Sequence, residues 1–172
     1  MHIIQATCDH AAEICDVVRR SIVQLCEDDH RADPEIIAKW LDGKTPERVK
    51  MWIQNPLNRI MLAAEGDRVL GAGCITSAGE ITLNYVLPEA RFQGASKAIV
   101  AALEAQARTE HHAAITLEST TTAHRFYSAL GYRDRGTSST KFGLTTWPMI
   151  KEFGDVEGGS TSTAALKKDP LS

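Results

Sequence analysis

The sequence contains no apolar run near the roughly 20 residues that a membrane-spanning helix requires. Its first five residues, MHIIQ, lack the basic and apolar regions of a signal peptide. Basic charge is not in excess either: 19 Lys and Arg against 22 Asp and Glu give a formal net charge of −3, so no global positive field favours nucleic acid. We therefore expect a cytoplasmic protein that binds neither a membrane nor nucleic acid.

The cysteines and histidines lack the spacing of a metal site or a disulfide framework. The four cysteines form no C-x-x-C pair and no Cys/His ligand pattern: Cys8, Cys15, Cys26 and Cys74. His111 and His112 are adjacent, so on a helix end they point in different directions and cannot act as a simple pair of ligands. The sequence therefore predicts free thiols and no metal.

Length and composition predict a single globular domain. The chain has 172 residues, of which 43% are apolar and 24% charged, and no internal repeat is visible. From residue 154 onward Gly, Ser, Thr and Lys dominate and the apolar periodicity stops. We expect one folded domain over residues 1–153 and a disordered tail over residues 154–172.

The first third of the chain reads as one short strand followed by helices. Residues 2–7 favour a strand, and Asp9 is a plausible N-cap for a helix with an apolar face formed by Ile14, Val18, Ile22 and Leu25. The charged stretch 27–31 breaks this pattern. Asp33-Pro34 and Thr45-Pro46 are helix-start signals for two further pieces.

The remainder alternates between strands and helices. A hairpin is predicted at Gly66-Asp67, between strands over 60–65 and 69–76. The later elements are a strand over 80–87, a helix over 94–110, a strand over 114–117, a helix over 120–130 and weaker strands near 132–135 and 145–151. This order predicts the α/β class, with a mixed sheet that carries helices on its faces.

The most informative segment is residues 86–97, VLPEARFQGASK. A strand ends at a proline, a polar turn follows, and the small residues that open the next helix are Gly94, Ala95 and Ser96. Unpaired N–H groups at a helix start bind phosphate oxygens, and Lys97 adds positive charge. The alternative is that these small residues serve packing alone. The segment matches neither the P-loop nor the G-x-G-x-x-G pattern.

Two signatures in order resemble one family. Arg91-x-x-Gly94-x-Ser96, after a strand that ends in Val86-Leu87-Pro88, resembles the acetyl-CoA motif of GNAT acetyltransferases, Q/R-x-x-G-x-G/A. Downstream, AHRFYSALGY over residues 123–132 is similar to the second signature, A-x-x-F-Y-x-x-x-G-F/Y. The resemblance extends over about residues 1–152, and specific residues match between about 80 and 132.

The resemblance implies a GNAT fold, with a mixed and mostly antiparallel sheet flanked by helices. It implies acetyl-CoA as cosubstrate and a small-molecule or peptide amine as acceptor, with direct transfer in a ternary complex. Homodimers are common among such proteins. The alternative is a non-catalytic acyl-CoA-binding or regulatory domain of the same fold, since fold alone does not establish activity.

The resemblance also implies cofactor contacts. Main-chain groups of Asn84, Tyr85 and Val86 would pair with the pantetheine arm as an added strand does. The pyrophosphate would be held by the amides of Phe92, Gln93, Gly94, Ala95, Ser96 and Lys97. Thr120 stands where many members carry an asparagine that contacts the cofactor, and Ser96 stands where glycine or alanine is usual.

Tyr127 and Glu80 are the candidate catalytic residues. Tyr127 matches the family's proton donor to the leaving thiolate, although a tyrosine on an apolar helical stripe is also a common core residue. Glu80 is the candidate base: it lies six residues before Val86, which predicts that both project from the same strand face. Glu118, on the next strand, is the second candidate.

The acidic run Glu27-Asp28-Asp29 leaves two interpretations open. It could attract a cationic acceptor, or it could be a solvated loop. The sequence does not identify the acceptor.

Overall fold

A computed structural model of the chain describes residues 1–154, so the predicted tail lies, from residue 155, outside the described residues. The helices of the described part are α1 (Ala11–Leu25), α2 (Glu27–His30), α3 (Pro34–Leu41), α4 (Pro46–Gln54), α5 (Ala95–Thr109) and α6 (Thr121–Ala129). Its strands are β1 (His2–Gln5), β2 (Asn58–Glu65), β3 (Arg68–Thr76), β4 (Glu80–Val86), β5 (Ala114–Thr120), β6 (Arg133–Asp134), β7 (Ser139–Lys141) and β8 (Leu144–Glu152).

The described strands form one sheet in the order β1-β2-β3-β4-β5-β8-β6, with β7 paired to β8. Every described pair is antiparallel except β4 with β5, which run parallel. The predicted α/β class with a mixed, mostly antiparallel sheet is therefore confirmed.

The parallel pair opens a gap in the sheet. β4 and β5 pair only at their first residues, where Glu80 is opposite Thr116 and Ile81 is opposite Leu117. Beyond Ile81, the described pairing of β4 is with β3 alone. The two strands therefore diverge, and the backbone leaves room for a ligand between them.

A β-bulge interrupts β4 just where it separates from β5. Cys74 of β3 pairs with Leu83 and its neighbour Ile75 pairs with Ile81, so Thr82 is an extra residue in β4. A bulge breaks the alternation of side chains between the two faces. Relative to the residues before Thr82, the side chains of β4 after it therefore lie on the sheet face opposite to the one that regular alternation would give them.

Helices cover both faces of the sheet. One core layer joins the sheet to α1, α3 and α4, and the other joins it to α5 and α6. In the second layer Ile99 and Leu103 of α5 are fully buried, which stabilises the fold by roughly 1.5–3 kcal/mol each. Gly73 of β3 lets α5 lie this close, because a Cβ at that position would overlap the side chain of Ile99.

Local helix signals are confirmed where the two prolines begin helices. The Asp33 carboxylate accepts hydrogen bonds from the amides of Glu35 (2.8 Å) and Ile36 (3.3 Å) at the start of α3. At the start of α4 the hydroxyl of Thr45 accepts from the amide of Arg48 at 3.3 Å. These short-range capping bonds depend only on residues within one helical turn.

Three local predictions differ from the structure. Asp9 is not an N-cap, because it lies within a 3₁₀ turn, Cys8–His10, and α1 begins at Ala11. In this turn the Thr7 amide donates to Nδ1 of His10 at 3.0 Å. The charged stretch 27–31 interrupts the apolar pattern as predicted, but it also contains the one-turn helix α2. β7 was not predicted, since its three residues are all exposed and carry no apolar alternation.

Within the described part, no helix is both long enough and apolar enough to span a bilayer.

Candidate functional site

A cavity of about 440 Å³ lies in the region where β4 and β5 diverge. Its walls come from α1 and the following Cys26, α3, β4, the turn before α5, the first turn of α5, β5 and α6. Ten of the predicted site residues line it: Asn84, Tyr85, Val86, Phe92, Gly94, Ala95, Ser96, Lys97, Thr120 and Tyr127. Tertiary structure therefore gathers the two sequence signatures around one volume.

Two predicted site residues do not line this cavity, Gln93 and Glu80. The side chain of Gln93 donates to the carbonyl of Glu89 at 2.7 Å, and its amide donates to the carbonyl of Ala90 at 3.3 Å. The side-chain amide and the backbone N–H of Gln93 therefore both donate to carbonyls within the turn.

The turn before α5 presents free amides to the cavity. Gly94 caps the helix with a left-handed backbone (φ +84°), a conformation that glycine adopts without steric cost. The first helical bond is from the Ala98 amide to the Gly94 carbonyl at 2.9 Å. Among the described residues, no protein acceptor is found for the amides of Gly94, Ala95, Ser96 and Lys97. Together with the Lys97 ammonium, these N–H groups suit a phosphate ligand.

Glu89 ties this turn to the rest of the molecule. Its carboxylate accepts two hydrogen bonds from the Arg20 guanidinium, at 2.8 and 3.2 Å, and a further one from Arg68. A backbone N–H and Arg20 hold the pKa of Glu89 below its ordinary value. α1, β3 and the turn are thereby joined at the edge of the site.

The hydroxyl of Tyr127 is held at the cavity wall by a side chain of β4. Asn84 Nδ2 donates to Tyr127 Oη at 3.2 Å, and Ser96 Oγ donates to Asn84 Oδ1 at 3.0 Å. Burial raises the pKa of Tyr127 to about 12, while the bond from Asn84 lowers it. The phenol is therefore protonated at neutral pH, and its own hydrogen is not used in the bond with Asn84.

The ring of Tyr127 belongs to the core. It is 6% exposed and packs edge-on against Phe126 and Tyr132, with ring centroids 5.1 and 5.4 Å apart. The ring therefore has the core role that its apolar helical stripe indicates. The donor role of the hydroxyl stays a prediction.

Glu80 and Val86 do not share a strand face, so the predicted placement of Glu80 is wrong. Ile81 and Val86 pack in the same core layer although five positions separate them, because of the bulge at Thr82. Glu80, next to Ile81, therefore does not share a face with Val86. Glu118 of β5 is exposed and does line the cavity, and it is the one acidic side chain among the described lining residues.

The acidic run is only partly solvated. Glu27 and Asp28 are exposed, but Asp29 is 5% exposed and its Oδ1 accepts from the amide of Thr122 at 3.2 Å. Asp29 therefore caps the first turn of α6, and the solvated-loop interpretation is wrong for this residue.

The sequence did not predict one wall of the cavity, which is formed by Ser21, Leu25, Cys26 and Trp40. Leu25 and Trp40 belong to the apolar faces of α1 and α3, and that periodicity was the available signal. Cys26 directly follows α1. Burial raises the pKa of Cys26 to about 12, so this cavity-lining cysteine is a neutral thiol and not a nucleophilic thiolate.

Comparison with known proteins identifies the family. Residues 28–153 match the family model described as an acetyltransferase (GNAT) domain. No curated protein sequence gives a significant match.

Solved structures share the fold at low sequence identity. A GCN5-related N-acetyltransferase from Rhodopseudomonas palustris has a TM-score of 0.79 and 18% identity, over 88% of this chain and 95% of that one. The PaiA N-acetyltransferase of Thermoplasma acidophilum, in complex with coenzyme A, has a TM-score of 0.74 and 16% identity, over 88% of this chain and 98% of that one. A Salmonella typhimurium protein solved with its cofactor acetyl-CoA has a TM-score of 0.70 and 14% identity, over 94% of this chain and 98% of that one.

Proposed function

Since this chain belongs to the GNAT acetyltransferase family, whose cosubstrate is acetyl-CoA, we propose that it acetylates a primary amine by direct attack in a ternary complex. The acceptor is a small molecule or a peptide amine. The single observation that carries the proposal is the buried, protonated hydroxyl of Tyr127, bound by Asn84 on the wall of a cavity that also exposes four free amides.

The residues of the turn and of β4 would hold acetyl-CoA. The amides from Gly94 to Lys97 fit a pyrophosphate, since each offers a donor that has no acceptor among residues 1–154. Main-chain groups of Asn84, Tyr85 and Val86 lie on the open edge of β4 and would pair with the pantetheine amides. When bound, acetyl-CoA supplies the acetyl thioester.

The acceptor amine must lose a proton before it can attack. An alkylamine with a pKa near 10 is mostly an ammonium at neutral pH. We assign the removal of this proton to Glu118, directly or through a water molecule, because it is the acidic side chain on the cavity wall. Glu80 is the second candidate base, although it is not among the residues that line the cavity.

Tyr127 would deliver a proton to the leaving group. The new bond joins the amine nitrogen to the acetyl carbon, and the carbon–sulfur bond breaks. Its electron pair stays on sulfur, which receives the phenolic hydrogen of Tyr127. The hydrogen bond from Asn84 supports this role, because it orients the oxygen and stabilises the phenolate that forms.

A coenzyme A release screen tests the proposal. The purified chain is incubated with acetyl-CoA and a panel of amino acids, polyamines, aminoglycosides and N-terminal peptides, and free coenzyme A is quantified against a no-acceptor control. Release that depends on one class of amine, with the acetylated product identified by mass spectrometry, is the expected result. Tight acetyl-CoA binding without release for any amine would instead support a non-catalytic acyl-CoA-binding domain.

A further inference from the structure

Phe92 combines solvent exposure with a position on the cavity rim. It is 91% exposed, the highest value among the exposed large apolar side chains of residues 1–154, and it lines the cavity. An exposed phenylalanine contributes nothing to a core, and each such ring keeps a large apolar area in contact with water. The ring is thus presented beside the phosphate-binding amides without a packing role in the fold.

The backbone at this position is unfavourable for phenylalanine. Phe92 has φ +63°, in the left-handed region where a bulky side chain is a genuine outlier. Glycine would occupy this conformation without steric cost. A large aromatic residue at such a site points to a use for the ring, because the fold itself would be better served by glycine.

The ring is held from one side by its neighbour. The Arg91 guanidinium carbon lies 4.7 Å from the centroid of the Phe92 ring, within cation–π range. This contact orients the ring but covers little of it, given its exposure. An aromatic surface is therefore exposed two residues before Gly94, which begins the series of four amides from Gly94 to Lys97.

We propose that the side chain of Phe92 stacks on the adenine ring of acetyl-CoA. In that cosubstrate the adenosine is joined directly to the pyrophosphate. A pyrophosphate on the amides of residues 94–97 therefore brings the purine to the rim of the turn, where the free face of Phe92 lies. Stacking of a base on an aromatic ring needs no hydrogen bonds and suits an exposed platform.

This inference rests on the proposed function and adds a donor preference to it. The ring would favour donors that carry a nucleotide over donors that end at phosphopantetheine. The contact with the amides is common to both kinds of donor, whereas the contact with Phe92 exists only where an adenine is present.

The test compares two ligands on the full chain. Dissociation constants of acetyl-CoA and of acetyl-phosphopantetheine are measured by calorimetry for the wild type and for Phe92→Gly. For acetyl-CoA we expect the Kd of the variant to rise roughly 5- to 100-fold, the usual worth of one stacked base. For acetyl-phosphopantetheine we expect no change in Kd. Because glycine relieves the left-handed backbone, the melting temperature should stay equal or rise.

Phe142 offers a matched control. It is also exposed (47%) and also has a positive φ (+42°), but it lies in the β7–β8 turn and does not line the cavity. Phe142→Gly should leave the Kd of both ligands unchanged. Phe92→Tyr should keep wild-type affinity for acetyl-CoA, since the aromatic face is retained, while Phe92→Leu should resemble the glycine variant.

Three results would overturn the proposal. Equal acetyl-CoA affinity in wild type and Phe92→Gly would show that the ring does not contact the adenine. An equal loss of affinity for both ligands would show that the substitution acts through the backbone of the turn. A wild-type dimer that becomes a monomer in Phe92→Gly, at unchanged Kd, would assign the ring to a contact between subunits. Failure of the proposed function looks different: acetyl-CoA would bind with the ligand preference above, yet no amine would release coenzyme A.

Discussion

The side-chain amide of Asn84 donates a hydrogen bond to the hydroxyl of Tyr127 across 3.2 Å. The two residues are 43 positions apart and belong to β4 and α6. Ser96 extends the contact to the first turn of α5 through its bond with Asn84 Oδ1 at 3.0 Å. A group proposed to act on the thioester is thereby linked to the helix start proposed to hold the pyrophosphate.

Tyr127→Phe tests the proton donor. The variant keeps the ring that packs against Phe126 and Tyr132 and removes only the hydroxyl. We expect kcat to fall by roughly 10²–10⁴ at saturating acceptor, with little change in acetyl-CoA affinity. Because burial raises the pKa of Tyr127 to about 12, the donor form persists at alkaline pH, and no loss of kcat between pH 7 and 10 should trace to this residue. A fully active variant would show that Tyr127 is not the proton donor.

Asn84→Leu tests the hydrogen bond that orients Tyr127. The change removes the donor to Tyr127 Oη and leaves the main-chain groups of β4 in place. We expect kcat to fall about fivefold, since one hydrogen bond is worth about 1 kcal/mol. The acetyl-CoA Kd should change less, because the main-chain groups of β4 stay in place. Ser96→Ala is the control, because it frees Asn84 Oδ1 but keeps the bond to Tyr127. If the two variants lose kcat equally, Asn84 does not act through Tyr127.

Gly94→Glu tests the phosphate-binding turn. The carboxylate would enter a group of unpaired amides and repel a pyrophosphate. We expect acetyl-CoA binding to be lost by calorimetry in a folded protein. Gly94→Ala carries the same left-handed backbone strain without the charge, and a Cβ there meets no atom within 4 Å. Unchanged affinity in the glutamate variant, or equal losses in both variants, would count against this site.

A pair of substitutions, Glu118→Gln and Glu80→Gln, distinguishes the two candidate bases. Glu118 lines the cavity, whereas Glu80 lies before the bulge at Thr82 and does not. We expect Glu118→Gln to lower kcat/KM for the acceptor by roughly 10²–10⁴. Glu80→Gln should leave kcat/KM unchanged. The reverse pattern would restore the assignment to Glu80.

Asp29→Ala tests the role of the acidic run. The change removes the acceptor of the Thr122 amide at the start of α6, so we expect the free energy of unfolding in urea to fall by about 1–2 kcal/mol. Asp28→Ala, at an exposed position, should change it by less than about 0.5 kcal/mol. A higher acceptor KM for Asp29→Ala at unchanged stability would instead favour capture of a cationic acceptor.

The elements that could be predicted from the sequence are those whose signals are local. The caps Asp33 and Thr45 bond to amides two or three positions away, and the turn at residues 86–97 ends a strand and opens a helix through its own small residues. Such contacts depend on a few neighbouring residues, so a pattern of residue types is enough to predict them. The order of strands and helices likewise predicted a mixed sheet with helices on both faces.

Which side chains come into contact depends on packing between elements and could not be predicted from local patterns. The bulge at Thr82 depends on the pairing of β4 with β3, and it removed Glu80 from the face of Val86. The burial of Asp29 depends on α6, 93 positions away from it. The bond between Asn84 and Tyr127 needs β4 and β5 to diverge so that α6 can approach the gap. Periodicity within one element carries no information about the partner strand or helix, because strand register and long-range contacts are set by packing between elements.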